Sequence, residues 1–490
     1  MVVVLPLLLL LLSCSSPAVL GADEEHGYTV VALSSLKAHA ACSGHRVIPP
    51  HNGSWVPLHR PLGPCSPLFS GAGGAEPPPS SSSMAELHRQ DELRVDDIHR
   101  RLSGDVGDDK QGSDKTPMST QVSQLNSQST IQANVGSGGG SATTTMSSDD
   151  QLAAATGGGL PGVTQTLVLD TASDIPWVQC SPCPVPPCHP QTGIIYNPSM
   201  SSTYTAIPCN SPACLQLGPY ANGCINNQCQ YRVVYPDGSS SSGTYSSDLL
   251  TFDPSNSISN FQFGCSRAVQ GGSFDPRTAG IMALGGGPES LVSQAAGVYG
   301  DVFSYCIPPT ASVKGFFVLG VPRVAATRYV LTPLLRSPNV PKTFYRVLLK
   351  DIGVAGRRLN IPATVFAAGA VLDTRTVLTR LPPTAYVALR DAFRGAMGMY
   401  RMVPPKGPLD TCYDFTGVGV VRLPKITLVF DGRNAVVELD PSAVLFNDCL
   451  AFIPNGNDAM PGILGNVQQQ TIEVLYNVGG GLVGFRHGSC

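Results

Sequence analysis

An all-β chain folded into two lobes is what this sequence predicts, and three observations carry the prediction. Gly (52) and Pro (43) are frequent among its 490 residues and long helical periodicity is rare, so the chain reads as many short strands broken by turns. An apolar strand running into an acidic turn occurs twice, at Thr166-Leu167-Val168-Leu169-Asp170-Thr171-Ala172-Ser173 and again at Ala370-Val371-Leu372-Asp373-Thr374-Arg375-Thr376. Between them, near Val321 to Thr343, the strand pattern breaks and restarts, which gives each lobe one of the two turns.

A strand ending in Asp-Thr aims a carboxylate out of a rigid sheet while the short hydroxyl fixes the turn beside it. Two such turns facing each other make a carboxylate pair, and Asp170 with Asp373 is the candidate site. With 42% hydrophobic and 13% charged residues the chain has ample core and too much length for one ordinary domain. A net charge of -3 and the lack of any Lys/Arg run exclude a nucleic-acid footprint. The expected order is a signal peptide over 1–21, a low-complexity leader over 22–150, a first lobe with a cysteine-rich insert over 151–330, and a second lobe over 331–490.

The apolar run 2–12, followed by small residues, has signal-peptide length and is too short to span a membrane, which implies secretion to the apoplast or the vacuole. No later window reads as membrane-spanning. Ser, Gly, Pro and Gln runs such as 77–83 and 136–141 mark the leader as a span most of which should not pack alone. One island is helical: residues 84–102 set Leu87, Val95, Ile98 and Leu102 on one face among charges. Lying between signal and first lobe, it reads as a prosegment that covers a cleft and turns basic residues toward a carboxylate pair; a solvated linker helix is the other reading. Asn52-Gly53-Ser54 is the sole glycosylation sequon and falls in this leader.

Of 15 cysteines, Cys14 falls in the signal and Cys42 and Cys65 in the leader. The rest form an even set suited to six bridges in an oxidising compartment, with connectivity left open by the spacing. Cys180, Cys183, Cys188 and His189 admit a zinc reading, but no second paired cluster completes a site, so neither metal nor cofactor is expected. From residue 162 onward, short β-branched or aromatic runs at 166–169, 231–235, 249–252, 261–264, 315–320, 345–349 and 426–430 read as strands. Helical patches are few, at 289–297 and at 384–397, the second opening behind Pro382-Pro383 with Thr384 as N-cap.

Several motifs then follow in one order: Asp170-Thr171-Ala172-Ser173-Asp174-Ile175-Pro176-Trp177-Val178-Gln179-Cys180, the cysteine-rich insert to Cys229, and Tyr235-Pro236-Asp237-Gly238-Ser239. Ala279-Gly280-Ile281-Met282-Ala283-Leu284-Gly285, Leu409-Asp410-Thr411-Cys412-Tyr413 and Gly462-Ile463-Leu464-Gly465-Asn466 complete the set. Together they resemble the plant nepenthesin-like branch of the pepsin-type aspartic proteases, and the leader resembles that branch's prosegment. The resemblance implies a bilobal fold with two β-rich lobes around a central cleft, and a secreted endopeptidase made as a zymogen. It implies that Asp170 and Asp373 share one proton, one carboxylate taking a proton from water while the other polarises the scissile carbonyl. Thr171 and Thr374 then lock the turns, Ser173 and Arg375 complete them, and Tyr235 is the flap residue with Trp177 as partner. The implied bridges are Cys180-Cys183, Cys188-Cys265, Cys209-Cys229, Cys214-Cys224, Cys306-Cys490 and Cys412-Cys449. The partner is a peptide or protein substrate, and one chain supplies both carboxylates, so a monomer suffices.

Departures from the family pattern cluster at the site. Ala172 and Arg375 stand where the family has glycine, Ala283 replaces a glycine behind the first aspartate, and Pro236 stiffens the flap tip. The segment 151–161 lacks the strand expected before the first motif. At about 6 Å and an effective dielectric of about 20, Arg375 would favour an ionised carboxylate by roughly 2–3 kcal/mol, unless its flexible stem swings away to solvent or an acidic partner. The alternative function is therefore a catalytically impaired homologue that binds peptides or proteins in the old cleft, like the xylanase inhibitors of this architecture.

Overall fold

The computed structural model describes residues 27–37, 39, 41–46, 54–60, 64–66, 81–104, 128–137, 162–183, 188–253, 255–271, 274, 277–322 and 324–490; the expected signal segment and Asn52 lie outside them. Six elements position the site. From the span read as leader come β1 (Tyr28–Ala32), β2 (Ser54–His59), α1 (Ser81–Ser103) and β3 (Thr130–Val135). The first Asp-Thr motif then supplies β4 (Val163–Asp170) and β5 (Trp177–Gln179).

β3 pairs antiparallel with β4 from Thr130↔Val168 to Val135↔Val163, and β2 lies between β3 and the strand Gly315–Leu319. Their 15-stranded sheet runs on through Val302–Cys306, Glu473–Asn477 and Leu482–Arg486, so strands from the beginning, middle and end of the chain tie the lobes together. β1 docks elsewhere, antiparallel on Val420–Pro424.

These leader segments pack against the lobes rather than alone. β3 alternates polar and apolar residues, and Val56 and Leu58 of β2 enter the main core with Ile131, Ala133 and Val135. One buried strand face offsets the ordering of a few residues even between Ser- and Gly-rich runs. Residues 151–161 lie outside the described residues, and β3, further upstream, is the strand that pairs with β4.

The two Asp-Thr turns are held alike. β4 runs parallel to Gly280–Ala283 with Ala283 opposite Asp170, and Ala370–Leu372 runs parallel to Gly462–Leu464. Such central parallel strands are covered on both faces, which explains why both motifs are continuously apolar before the aspartate. Ala283 is fully buried without displacing this pairing, whereas a Cβ on Gly465 would lie 2.6 Å from the Val377 carbonyl. Only the second position requires glycine.

α1 is built of Ala, Glu, Leu, Arg and Gln without internal Pro or Gly, and ends before Gly104, whose φ of +73° suits a helix C-terminus. Met84 and Leu87 pack with Val377, Leu378 and Leu409, while Val95 and Ile98 pack on Ala172, Phe344, Val371 and Ile463. Burying each such side chain stabilises docking by about 1.5–3 kcal/mol. The island is therefore a docked helix with a buried apolar face rather than a solvated one.

Cys306 is bonded to Cys490 and Cys412 to Cys449. The other four implied bridges are corrected to Cys180–Cys265, Cys183–Cys188, Cys209–Cys224 and Cys214–Cys229, and Cys42–Cys65 adds a seventh within the leader. Strand register decides the first: β5 runs parallel to Asn256–Gln270 with Val178 beside Cys265, and this brings the Cα of Cys180 to 5.4 Å from that of Cys265. In the insert, Cys224 and Cys229 face each other across a hairpin, and the preceding segment lays Cys209 and Cys214 at Cα distances of 5.7 and 5.8 Å from them, within bridging reach.

Candidate active site

Asp170 ends β4 and Asp373 follows Leu372, and both are fully buried. Thr171 N–H donates to Thr374 Oγ1 (3.2 Å) and Thr374 N–H donates to Thr171 Oγ1 (3.1 Å). Each hydroxyl donates onward to the opposite strand, Thr171 to the Leu372 carbonyl (3.1 Å) and Thr374 to that of Leu169 (3.0 Å). This reciprocal lock brings the two turns face to face across the lobes.

The carboxylates keep backbone donors despite the lost glycines. Asp170 Oδ1 accepts from Ala172 N–H (3.0 Å) and Asp373 Oδ1 from Arg375 N–H (3.2 Å). Beyond that the turns differ. Asp373 Oδ2 also accepts the Thr376 hydroxyl (2.6 Å) and N–H (3.1 Å), whereas the Ser173 hydroxyl is buried with no hydrogen-bond partner among the described residues. The structure thus leaves the Ser173 side chain out of the carboxylate network and brings in Thr376, which the sequence reading passed over although it holds the matching place in its turn.

Two arginines meet the pair. Arg94 of α1 donates from Nη2 to Asp170 Oδ1 (2.7 Å) and to Asp373 Oδ1 (2.6 Å), and from Nε to Asp373 Oδ2 (2.6 Å). Arg375 does not swing to solvent: its Nη1 lies 3.1 Å from Asp170 Oδ2 and its guanidinium sits 5.5 Å from the centre of the Tyr235 ring. Burial works against ionisation of Asp170, but the Arg94 and Arg375 guanidiniums and the Ala172 N–H outweigh it and hold the carboxyl well below the usual carboxylate range.

α1 is fixed around Arg94 by further polar contacts. Asp91 accepts from the N–H groups of Val377 and Leu378 (each 3.1 Å), just beyond the second turn. Burial pushes its carboxyl up to about 7, against those two bonds. Glu92 pairs with the buried Arg380, His99 Nε2 donates to the Pro461 carbonyl (2.9 Å), and Arg101 lies 4.7 Å from the Phe344 ring centre. A helix with basic residues facing the pair was legible in the sequence. Which arginine, and the role of Asp91, were not, because helical phase relative to the cleft depends on where α1 docks.

Trp177 Nε1 donates to Tyr235 Oη (2.8 Å), with both side chains buried beside Ile281. Tyr235 sits at the end of a hairpin closed by Tyr235 N–H to the Ser239 carbonyl (2.7 Å) and Gly238 N–H to that of Tyr235 (2.9 Å), so Pro236 fits the turn without losing a bond. Two locked, buried carboxylates under such a hairpin can hold and polarise one small polar group between them.

Two family models, described as "Xylanase inhibitor N-terminal" and "Xylanase inhibitor C-terminal", match residues 152–321 and 344–487. An aspartyl protease family protein of Arabidopsis thaliana is 35% identical over 437 residues, 87% of this chain and 85% of its own length. The chain belongs to the nepenthesin-like branch of the pepsin-type aspartic proteases. Within that family, aspartic proteinase nepenthesin-2 of Nepenthes gracilis is 34% identical over 340 residues, 65% of this chain and 73% of its own. Solved structures share the aspartic-protease fold at lower identity. The one described as edgp aligns with a TM-score of 0.57 at 18% identity, covering 75% of this chain and 92% of its own. Conglutin gamma from lupine seeds aligns at 0.53 and 22%, covering 66% and 88%. No helix among the described residues is long and apolar enough to cross a membrane.

Proposed function

We propose that this chain is a secreted aspartic endopeptidase made as a latent zymogen, with Asp170 and Asp373 as its catalytic pair and α1 as its inhibitor. The observation that carries the reading is the single Arg94 nitrogen within bonding distance of both buried carboxylates, 2.7 Å from Asp170 and 2.6 Å from Asp373. A cation on a helix of the leader fits a dyad that has to be kept charged and covered until use. Once α1 leaves, one proton shared by the pair lets one carboxylate take a proton from water as the water oxygen bonds to the scissile carbonyl carbon. The other carboxyl gives its proton to the carbonyl oxygen, and the tetrahedral adduct then collapses with proton transfer to the leaving amine. Tyr235, held by Trp177, closes over an extended peptide.

The test is cleavage of an unfolded protein by the acid-treated chain between about pH 2 and 6, with a statine-type inhibitor and with Asp170→Asn and Asp373→Asn as controls. Inhibitor-sensitive cleavage that both variants abolish supports the reading; cleavage that survives either variant sinks the dyad assignment. The Arg375–Asp170 contact favours a second reading, a relative that binds peptide or protein in the cleft without cutting it. Silence of a folded chain together with binding of the statine peptide selects that reading.

A further inference from the structure

We infer that Arg375 selects substrates with an acidic side chain, Asp or Glu, beside the scissile bond, and that this side chain frees the dyad from Arg375 as it binds. The inference rests on the protease reading above and deepens it. A recess with room for about one water is walled by Val168, Trp177, Phe274 and Ile281, with Gln128, Thr278 and Arg375 as its polar members, and Arg375 ties it to the dyad through Asp170. Val168 precedes Asp170 by two positions on β4 and so shares its face of the sheet, and Tyr235, bonded to Trp177, flanks it. Arg375 reaches from this recess to Asp170, so a side chain next to a peptide bond held over Asp170 comes within range of its guanidinium.

With glycine at position 375 the recess would carry no charge. Here a guanidinium occupies one end, and it is incompletely matched: Nη1 reaches Asp170 at 3.1 Å, longer than either Arg94 Nη2 contact, while Nε is buried with no hydrogen-bond partner among the described residues. An apolar substrate side chain would leave that donor unfilled. A carboxylate accepts from Nε and an Nη together, the planar two-bond arrangement for which guanidinium is shaped.

Charge counting gives the second half. With α1 docked, Arg94 and Arg375 face Asp170 and Asp373, two cations against two carboxylates. Departure of α1 removes Arg94 and leaves Arg375 favouring an ionised Asp170, which opposes proton sharing. A substrate carboxylate brings the count back to balance at Arg375 and leaves the two aspartates to hold one proton between them. Because that substrate group must itself be ionised, the preference grows as pH rises through about 4.3, the ordinary value for Glu.

The experiment uses the acid-treated full chain in two measurements: sites cut in a peptide library, mapped by mass spectrometry, and binding of peptides whose scissile amide is reduced to –CH2–NH–, carrying Glu, Gln or Leu at the adjoining position. Expected is about tenfold or greater preference for Glu over Gln in both at pH 5, lost in Arg375→Met, which keeps the stem and removes the charge. Equal treatment of Glu and Gln, persistence of the preference in Arg375→Met, or no binding of any analogue overturns the inference. Glu-selective binding without any cleavage keeps the pocket assignment and discards the protease reading.

Discussion

Arg94 and Arg375 hold opposite oxygens of Asp170, one at 2.7 Å and the other at 3.1 Å. One arrives on a helix of the leader and the other belongs to the second active-site turn. On the proposed zymogen reading, latency and catalysis depend on cations with different fates, since only the first can leave.

Replacing Arg94 by Ala takes the shared cation from both carboxylates while leaving the helix sequence otherwise intact. Breaking a buried ion pair on one side typically costs about 3–5 kcal/mol, enough to undock α1 for much of the time. Limited proteolysis should then cut within 81–103 at neutral pH, and the statine peptide should bind the unprocessed chain. Unchanged protection would show that apolar packing and Asp91 suffice to hold the helix.

Thr374→Val keeps the shape of the second turn and deletes its hydroxyl, leaving the Thr171 N–H without its acceptor and the Leu169 carbonyl without its donor. An unsatisfied buried donor costs about 1–3 kcal/mol. Urea unfolding should show a loss in that range, accompanied by lower turnover. A stability equal to the parent would mean that the lock is dispensable.

The pH dependence of leader docking should be set at His59 before it is set at Asp170. Burial, then the nearby Lys314 ammonium, pushes the His59 imidazole down to about 4, against a hydrogen bond at Cys65; His45 adds a smaller push. Its folded value lies below its unfolded one, so stability is complete above about pH 6.5 and falls toward pH 4, by about 3 kcal/mol in all. Asp170 is depressed too, but its contribution persists above the ordinary carboxylate range and is lost only at much lower pH. Asp91 has the opposite sign: its raised carboxyl favours docking as pH falls below about 7. Urea unfolding of the parent and of His59→Gln at pH 7, 5.5 and 4 should diverge as the pH falls. Parallel curves would remove His59 from this role.

Disulfide removal should scale with the loop closed. Cys306–Cys490 closes a separation of 184 residues and Cys183–Cys188 one of 5, worth about 5 and about 2 kcal/mol in the chain-entropy model. Paired Cys→Ser variants compared by guanidinium unfolding test the difference. Peptide mapping of the oxidised chain should also return Cys209–Cys224 and Cys214–Cys229; the crossed pairs would overturn the register given for the insert.

The legible parts of this protein were those written in local chemistry. Asp170-Thr171 and Asp373-Thr374 announce themselves because a parallel strand covered on both faces must be apolar up to the carboxylate. The face of α1 shows in the spacing of Leu87, Val95 and Ile98. What stayed hidden depends on long-range register: β3 is six ordinary residues until it meets β4, cysteines close in sequence have several partners within reach, and the hydroxyls of Thr376 and Ser173 hold matching places of which only the first meets a carboxylate. The direction of Arg375 was equally beyond local reading, since its stem reaches either solvent or Asp170.

The leader's only described disulfide, Cys42–Cys65, is internal to it, while β1 lies on Val420–Pro424, β2 between β3 and Gly315–Leu319, and α1 over the carboxylates. A single cut between Ser103 and Thr130 would leave no bridge among the described residues to hold the two pieces together. Inhibition would then change from an intramolecular equilibrium to a bimolecular one, with a dissociation constant of its own. On the proposed reading, the cut protein would be silent where it is concentrated and awake where it is dilute, so that dilution itself acts as the timer.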